Sequence, residues 1–150
     1  MEIRSVALKK RPEGIPKSED FQVLTQTLEK PKENEIQVAN VCMSVDPYMR
    51  GRMVDRKSYV PPFQIGEVLT GGAIGKVVDS NHPDFQIGDF VSSHYGWREG
   101  FTATTEGIEK LGNLQASPSM YLGTIGMPGM TAYVGLLEVG ALKEGETVFV

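Results

Sequence analysis

Polar and apolar residues alternate along Glu35-Ile36-Gln37-Val38-Ala39-Asn40-Val41, the two-residue period of a strand with one buried face. A first strand is predicted over 3–8, and a second, more weakly alternating, over 21–28. Arg11-Pro12-Glu13-Gly14-Ile15-Pro16 between them reads as a loop from its Pro and Gly content. Residues 67–79 are apolar and glycine-rich. Gly71, Gly72 and Gly75 there predict a bulge or a sharp bend in a strand ending Lys76-Val77-Val78-Asp79. A turn at Ser80-Asn81-His82-Pro83-Asp84 and a strand over 88–92 follow. Short Val-, Ile- and Phe-rich segments punctuated by Gly and Pro through the first 110 residues predict a β-barrel or sandwich with little helix.

The period changes near Ser117. Ser117-Pro118-Ser119 offers capping groups, and residues 131–139 repeat apolar side chains at helical spacing up to Gly140. A β-branched strand is predicted over 146–150, after the turn-like Lys143-Glu144-Gly145.

Composition narrows the function classes. A chain of 150 residues with 40% apolar content can bury a real core, and its length suggests one domain. The formal charge is −4 and Arg4, Lys9, Lys10 and Arg11 form the only notable basic cluster, so no nucleic-acid partner is expected. No apolar run approaches the ~20 residues that span a bilayer, and Met1-Glu2-Ile3-Arg4 lacks the apolar stretch of a secretory signal. The sequence reads as cytosolic, with no membrane partner. Cys42 stands alone, which rules out an internal disulfide and fits a reducing compartment.

Chemistry concentrates at Val45-Asp46-Pro47-Tyr48-Met49-Arg50-Gly51-Arg52-Met53, where a carboxylate, a phenol and two guanidinium groups share one corner. Proline fixes its own φ, so Tyr48 and Arg50 are presented stiffly at the end of the apolar run 36–45. By residue type, Asp46 accepts hydrogen bonds from its own turn. Tyr48 packs beneath the turn as readily as it donates to a ligand. Arg50 divides evenly between phosphate binding and surface solvation, while Arg52 favours solvation or pairing with Asp46 or Asp55. Ser92-Ser93-His94-Tyr95-Gly96-Trp97 follows a strand with ring side chains suited to a flat substrate, Trp97 being assigned to the core.

The Asp46 corner resembles the signature of the zinc-independent alkenal/one and prostaglandin reductase branch of the medium-chain dehydrogenase/reductase superfamily. Arg11-Pro12-x-Gly-x-Pro16, Ser80-Asn81-His82-Pro83-Asp84-Phe85, and Gly126-Met127-Pro128-Gly129-Met130-Thr131-Ala132-Tyr133 carry the resemblance across the chain. Within the branch, 79–84 and 129–146 look most like bacterial NADPH-dependent curcumin-type reductases. The resemblance implies a mainly β, chaperonin-10-like barrel catalytic domain over 1–117. It also implies a linker helix and the first strand of a dinucleotide-binding domain over 118–150.

The activity implied is NADPH-dependent reduction of the C=C bond of an enone or enal, in a protein that is a homodimer at full length. Tyr48 is the implied catalytic donor, with His94 and Tyr95 beside it on the substrate. Pro47, Arg50, Met127 and Thr131 lie on the cofactor side. The alternatives are a quinone reductase of the same superfamily and a non-catalytic small-molecule-binding barrel. Zinc-dependent relatives carry a cysteine near the position of Met43 and a histidine between the residues matching Gly66 and Glu67, so no metal is expected. No Gly-x-Gly-x-x-Gly occurs. Gly71-Gly72-Ala73-Ile74-Gly75 has the wrong spacing and precedes a strand, so the chain reads as an N-terminal fragment ending before the phosphate loop.

Overall fold

The computed structural model describes residues 1–149. Strands β1 (Glu2–Leu8) and β2 (Phe21–Thr27) pair antiparallel as a two-stranded sheet. A second sheet is built from β3 (Glu35–Met43), β4 (Ala73–Ser80), β5 (Phe90–Ser93), β6 (Gly100–Thr104) and β7 (Glu109–Gly112). Its order is β6-β3-β4-β5-β7, antiparallel throughout. The molecule is mainly β, as the sequence predicts. The sheets are joined by isolated bridges, Ser5 to Arg98 and Ala7 to Val68, and are not closed by a continuous ladder.

The alternation of β3 buries Ile36 and Val38 as its pattern requires, but leaves Val41 55% exposed. Ile36 and Val38 are fully buried and pack with Val77, Phe85, Val91, Phe101 and Ile108 in one core cluster. Gln37 is buried too, and its amide is satisfied by donating to Glu29 O at 2.9 Å and Thr102 Oγ1 at 3.0 Å, as a buried polar group must be. Two register shifts in the β3–β4 pairing leave Val78 and Val41 as the extra residues. Gly75 sits beside the second shift, where a Cβ would run into Val38 Cγ1 and the Ala39 carbonyl, so the bend is built on close backbone approach.

A second cluster, Leu8, Met49, Met53, Phe63 and Leu69, lies under the first sheet. Met49 and Met53 come from α1 (Tyr48–Arg52) and its C-terminal residue, so the Asp46-Pro47 corner is the start of a short helix. Pro47 at its N-terminus suits this, since its fixed φ is helical and it has no N–H to satisfy. Met49 packs beneath the corner at 2% exposure, which leaves Tyr48 on the outside at 40%.

Four elements depart from the sequence reading. β6 and β7 were not predicted. The helix expected over 131–139 begins four residues early, as α2 (Met127–Tyr133), because Pro128 occupies its first turn, and continues as a π-helix, Val134–Val139, to Gly140. Residues 146–149 form no strand: an isolated strand has no ladder to satisfy its backbone, and no described segment pairs with it. The last residue of that predicted strand, Val150, lies outside the described residues.

An ion pair ties β7 to the turn before β5. Lys110 Nζ is 2.6 Å from Asp89 Oδ2, which also accepts the Gln86 N–H at 2.7 Å. The Lys110 bond, followed by the Gln86 bond, holds the Asp89 carboxyl below its ordinary value of 3.8. A carboxylate with a depressed folded-state pKa stabilises above its unfolded value and loses that contribution as pH falls toward the folded one. Asp89→Asn should therefore lower the denaturation midpoint at neutral pH, and the gap from wild type should close below pH ~4. A gap independent of pH would show that the pair contributes nothing electrostatic.

Candidate active site

The end of β3, the start of α1, the end of β5, β7, the 3-10 turn Pro118–Leu122 and the N-terminus of α2 enclose a cavity of about 580 Å³. Tyr48, His94 and Met127 all line it, with Ser44, Asp46, Tyr121 and Pro128. Residues far apart in sequence thus converge on one cavity. The Tyr48 hydroxyl has no hydrogen-bond partner among the described residues, so its donor is free. Asp46 is structural: its carboxylate accepts the Ser44 hydroxyl at 2.8 Å and its carbonyl accepts the Met49 N–H at 3.0 Å.

His94 is carried into the cavity by a close backbone crossing. Gly71 N–H donates to His94 O at 3.2 Å and Gly96 N–H donates to Gly71 O at 2.9 Å, locking the 94–97 segment across the β3–β4 connection. Trp97 closes the crossing in a left-handed conformation, φ 60°, rare for a bulky residue, and its N–H donates to Met43 Sδ at 3.0 Å. It is half-buried and packs against the second core cluster without belonging to it, short of the core position the sequence suggested. Met43 is therefore engaged with Trp97 and does not line the cavity.

Tyr95 is not in the cavity. Ser93 is buried, His94 exposed and Tyr95 turned inward again, the continuing alternation of β5, and the Tyr95 ring stacks on Phe101 with centroids 4.3 Å apart. Arg98 lies over the outer face of the Tyr95 ring, and burial draws its guanidinium below the ordinary arginine range. Thr131 sits one turn along α2, beside Met127, Met130 and Val134 on an open apolar face. Its hydroxyl donates back to Met127 O at 2.8 Å, which leaves it acceptor capacity only.

Pro47 and Arg50 line a separate cleft on the other side of Tyr48. Arg50 donates to Gly14 O at 2.7 Å and Pro12 O at 3.4 Å, tying the 11–16 loop to α1. Arg52 pairs with neither Asp46 nor Asp55. It donates to Pro61 O at 2.9 Å and Thr70 Oγ1 at 3.2 Å and stacks over Phe63 at 4.0 Å, while Asp55 is taken by Arg11. The sequence reading missed Ser44, Glu109 and Tyr121 on the cavity wall. The alternation Glu109-Lys110-Leu111 was the available signal, since Glu109 and Leu111 face the cavity while Lys110 turns to Asp89.

A mainly β domain with this sheet order has the chaperonin-10-like fold seen in medium-chain dehydrogenase/reductase proteins. The chain belongs to the family described as the N-terminal domain of oxidoreductase, matched over residues 4–111. It is 46% identical over 147 residues to the NADPH-dependent curcumin reductase of Escherichia coli K12, covering 98% of this chain and 43% of that protein. It is 43% identical over 154 residues to the NADP(+)-dependent 2-alkenal reductase of Nicotiana tabacum, covering 98% and 44%. The crystal structure of CurA from Vibrio vulnificus in complex with NADPH superposes with a TM-score of 0.85 at 42% identity, covering 95% of this chain and 42% of that one. The chain thus spans about 43% of the length of the curated relatives it matches.

Among the described residues no three His, Cys, Asp or Glu side chains converge as metal ligands. Three protein ligands are the usual minimum for catalytic zinc. Elemental analysis of the purified protein is expected to find no stoichiometric zinc. Zinc at one per chain, lost together with activity on chelation, would overturn this.

Proposed function

We propose that this chain is the substrate-handling part of an NADPH-dependent reductase that saturates the C=C bond of α,β-unsaturated carbonyl compounds without zinc. The observation that carries the reading is the partner-free Tyr48 hydroxyl on a cavity wall shared with His94 and Met127. Residues 1–117 form the catalytic domain and 118–150 lead into a dinucleotide-binding domain.

The residues present fit a nicotinamide on the α2 side. Gly126 and Gly129 let the helix corner pack directly on the carbonyls of Tyr121 and Thr124, which sets Met127, 75% exposed, at the cavity rim. Met127, Pro128 and, one turn further on, Thr131 would border the cofactor. When bound, NADPH supplies a hydride.

This chain's own part is positional and electrostatic. Tyr48 donates to the carbonyl oxygen of the enone, and the bond strengthens as negative charge gathers there. A neutral phenol held by a helix whose other face is core reorganises little when that charge appears. The flat conjugated substrate lies between Tyr48 and His94. Cytosolic location and a homodimeric full-length protein complete the reading and rest on the family resemblance.

The test is NADPH oxidation by the full-length protein with an enone and with a quinone, followed by product analysis. A ketone product with its C=C bond saturated is expected. A marked preference for the quinone, or an allylic alcohol product, would refute the reading.

A further inference from the structure

The chain has two histidines, and the structure uses them differently. His82 is spent inside the 80–85 turn. Its Nδ1 accepts the Asp84 N–H at 3.2 Å, its Nε2 lies 3.3 Å from Thr105 Oγ1, and its ring meets Phe85 edge-on with centroids 5.1 Å apart. His94 is held only by its main chain. Its carbonyl accepts the Gly71 N–H, while neither ring nitrogen has a partner among the described residues, and the residue is exposed on the cavity wall.

The rest of the lining narrows what that ring can do. Asp46, before α1, and Glu109, on β7, are the acidic residues lining the cavity, and no Lys or Arg joins them among the described residues. The Asp46 carboxylate already accepts the Ser44 hydroxyl. Serine hydroxyls and the phenols of Tyr48 and Tyr121 complete the polar lining. Of these side-chain types only imidazole ordinarily changes charge between about pH 5 and 8, so it is the type that both releases and regains a proton near neutrality.

Saturating a conjugated C=C bond takes a proton as well as a hydride. Once the β-carbon has taken the hydride, the π pair of that bond is delocalised as an enolate, with charge on the oxygen that faces Tyr48 and a nucleophilic carbon at the α-position. We propose that His94 is the general acid that closes this enolate. The imidazolium gives one N–H proton to the α-carbon, the enolate pair forms the new C–H bond, the C=O bond is restored, and neutral imidazole remains. Water at the exposed ring then returns the proton. The proposal rests on the enone-reductase reading and goes beyond it, because it gives His94 a catalytic role and the product a handedness. A donor fixed on one wall delivers its proton to one face of the enolate. Tyr48 and His94 divide the work, one holding the oxygen and the other serving the carbon.

An enone with a methyl group on its α-carbon reads this out, since protonation makes a stereocentre there. The full-length protein should give a single enantiomer, resolved by chiral chromatography. His94→Phe keeps a planar ring without the proton, and His94→Ala leaves room for added imidazole. Both should give an even mixture of enantiomers as water takes over, with kcat lowered about 10²-fold, and imidazole should restore part of kcat in the alanine variant. A purely structural role would change the rate and leave the handedness. Binding supplies a readout independent of turnover. In NMR titrations of the full-length protein, para-nitrophenolate, a planar conjugated oxyanion like the enolate, should shift the His94 Cε1–H resonance saturably and leave that of His82 in place, the two assigned by the loss of one signal in His94→Ala. A single enantiomer from both variants, a mixture already from the wild-type protein, or no saturable shift at His94 overturns the proposal. A saturable shift in a wild-type protein that reduces no enone refutes the reductase reading itself, and the acid role with it.

Discussion

Tyr48→Phe is expected to lower kcat for enone reduction about 10²-fold, equivalent to ~3 kcal/mol of barrier, with KM little changed. The substitution removes one oxygen and leaves the ring, so the cavity wall keeps its shape. Met49, on the buried face of α1, still pins the helix. The lost interaction is one that grows as charge builds on the substrate oxygen, and such an interaction appears in turnover rather than in substrate binding. Steady-state kinetics of the full-length variant decides it. Unchanged kcat would remove Tyr48 from the chemistry. A rise in KM alone would make it a binding residue.

Gly96→Ala should be strongly destabilising, costing about 2–3 kcal/mol, the upper range for overpacking. A Cβ at Gly96 would stand 2.8 Å from Gly71 O and 3.2 Å from Gly71 C, both backbone atoms that no rotamer change can move. Relief requires the two segments to separate, which breaks the Gly96 to Gly71 hydrogen bond and withdraws His94 from the cavity. Gly135→Ala is the control, since nothing lies within 4 Å of a Cβ there. Denaturant midpoints should fall sharply for the first and hold for the second. Equal midpoints would mean the crossing is looser than described.

The strands readable in advance were those whose alternation is local. In β1 and β3 the buried Ile3, Ile36 and Val38 announce themselves by spacing. β6, Gly-Phe-Thr-Ala-Thr, does alternate, with Phe101 and Ala103 on the core face, and was overlooked for its shortness, while the four-residue β7 escaped because it carries Glu109 and Lys110 on opposite faces and its register depends on a distant partner. Tyr95 was legible and misread: counting the β5 alternation past Ser93 puts it inside. The partners of Arg50 and Arg52 were not legible, since they are carbonyls of Gly14 and Pro61, and a backbone oxygen leaves no mark in residue type. The sharing of one cavity by Tyr48 and Met127 was not legible from physics, because no periodicity relates two helix starts so far apart.

Under the proposed activity on conjugated carbonyls, Cys42 takes on a different meaning. Such compounds alkylate thiolates, so an enzyme that concentrates them is exposed to chemical damage by its own substrate. The single thiol lies part-buried on β3, and burial lifts its pKa, only partly offset by the hydrogen bond involving the Ile74 backbone. At neutral pH it is held almost wholly as the unreactive thiol. The strand that leads into the Tyr48 corner thus also shelters the chain's one thiol, which would make it tolerant of such electrophiles.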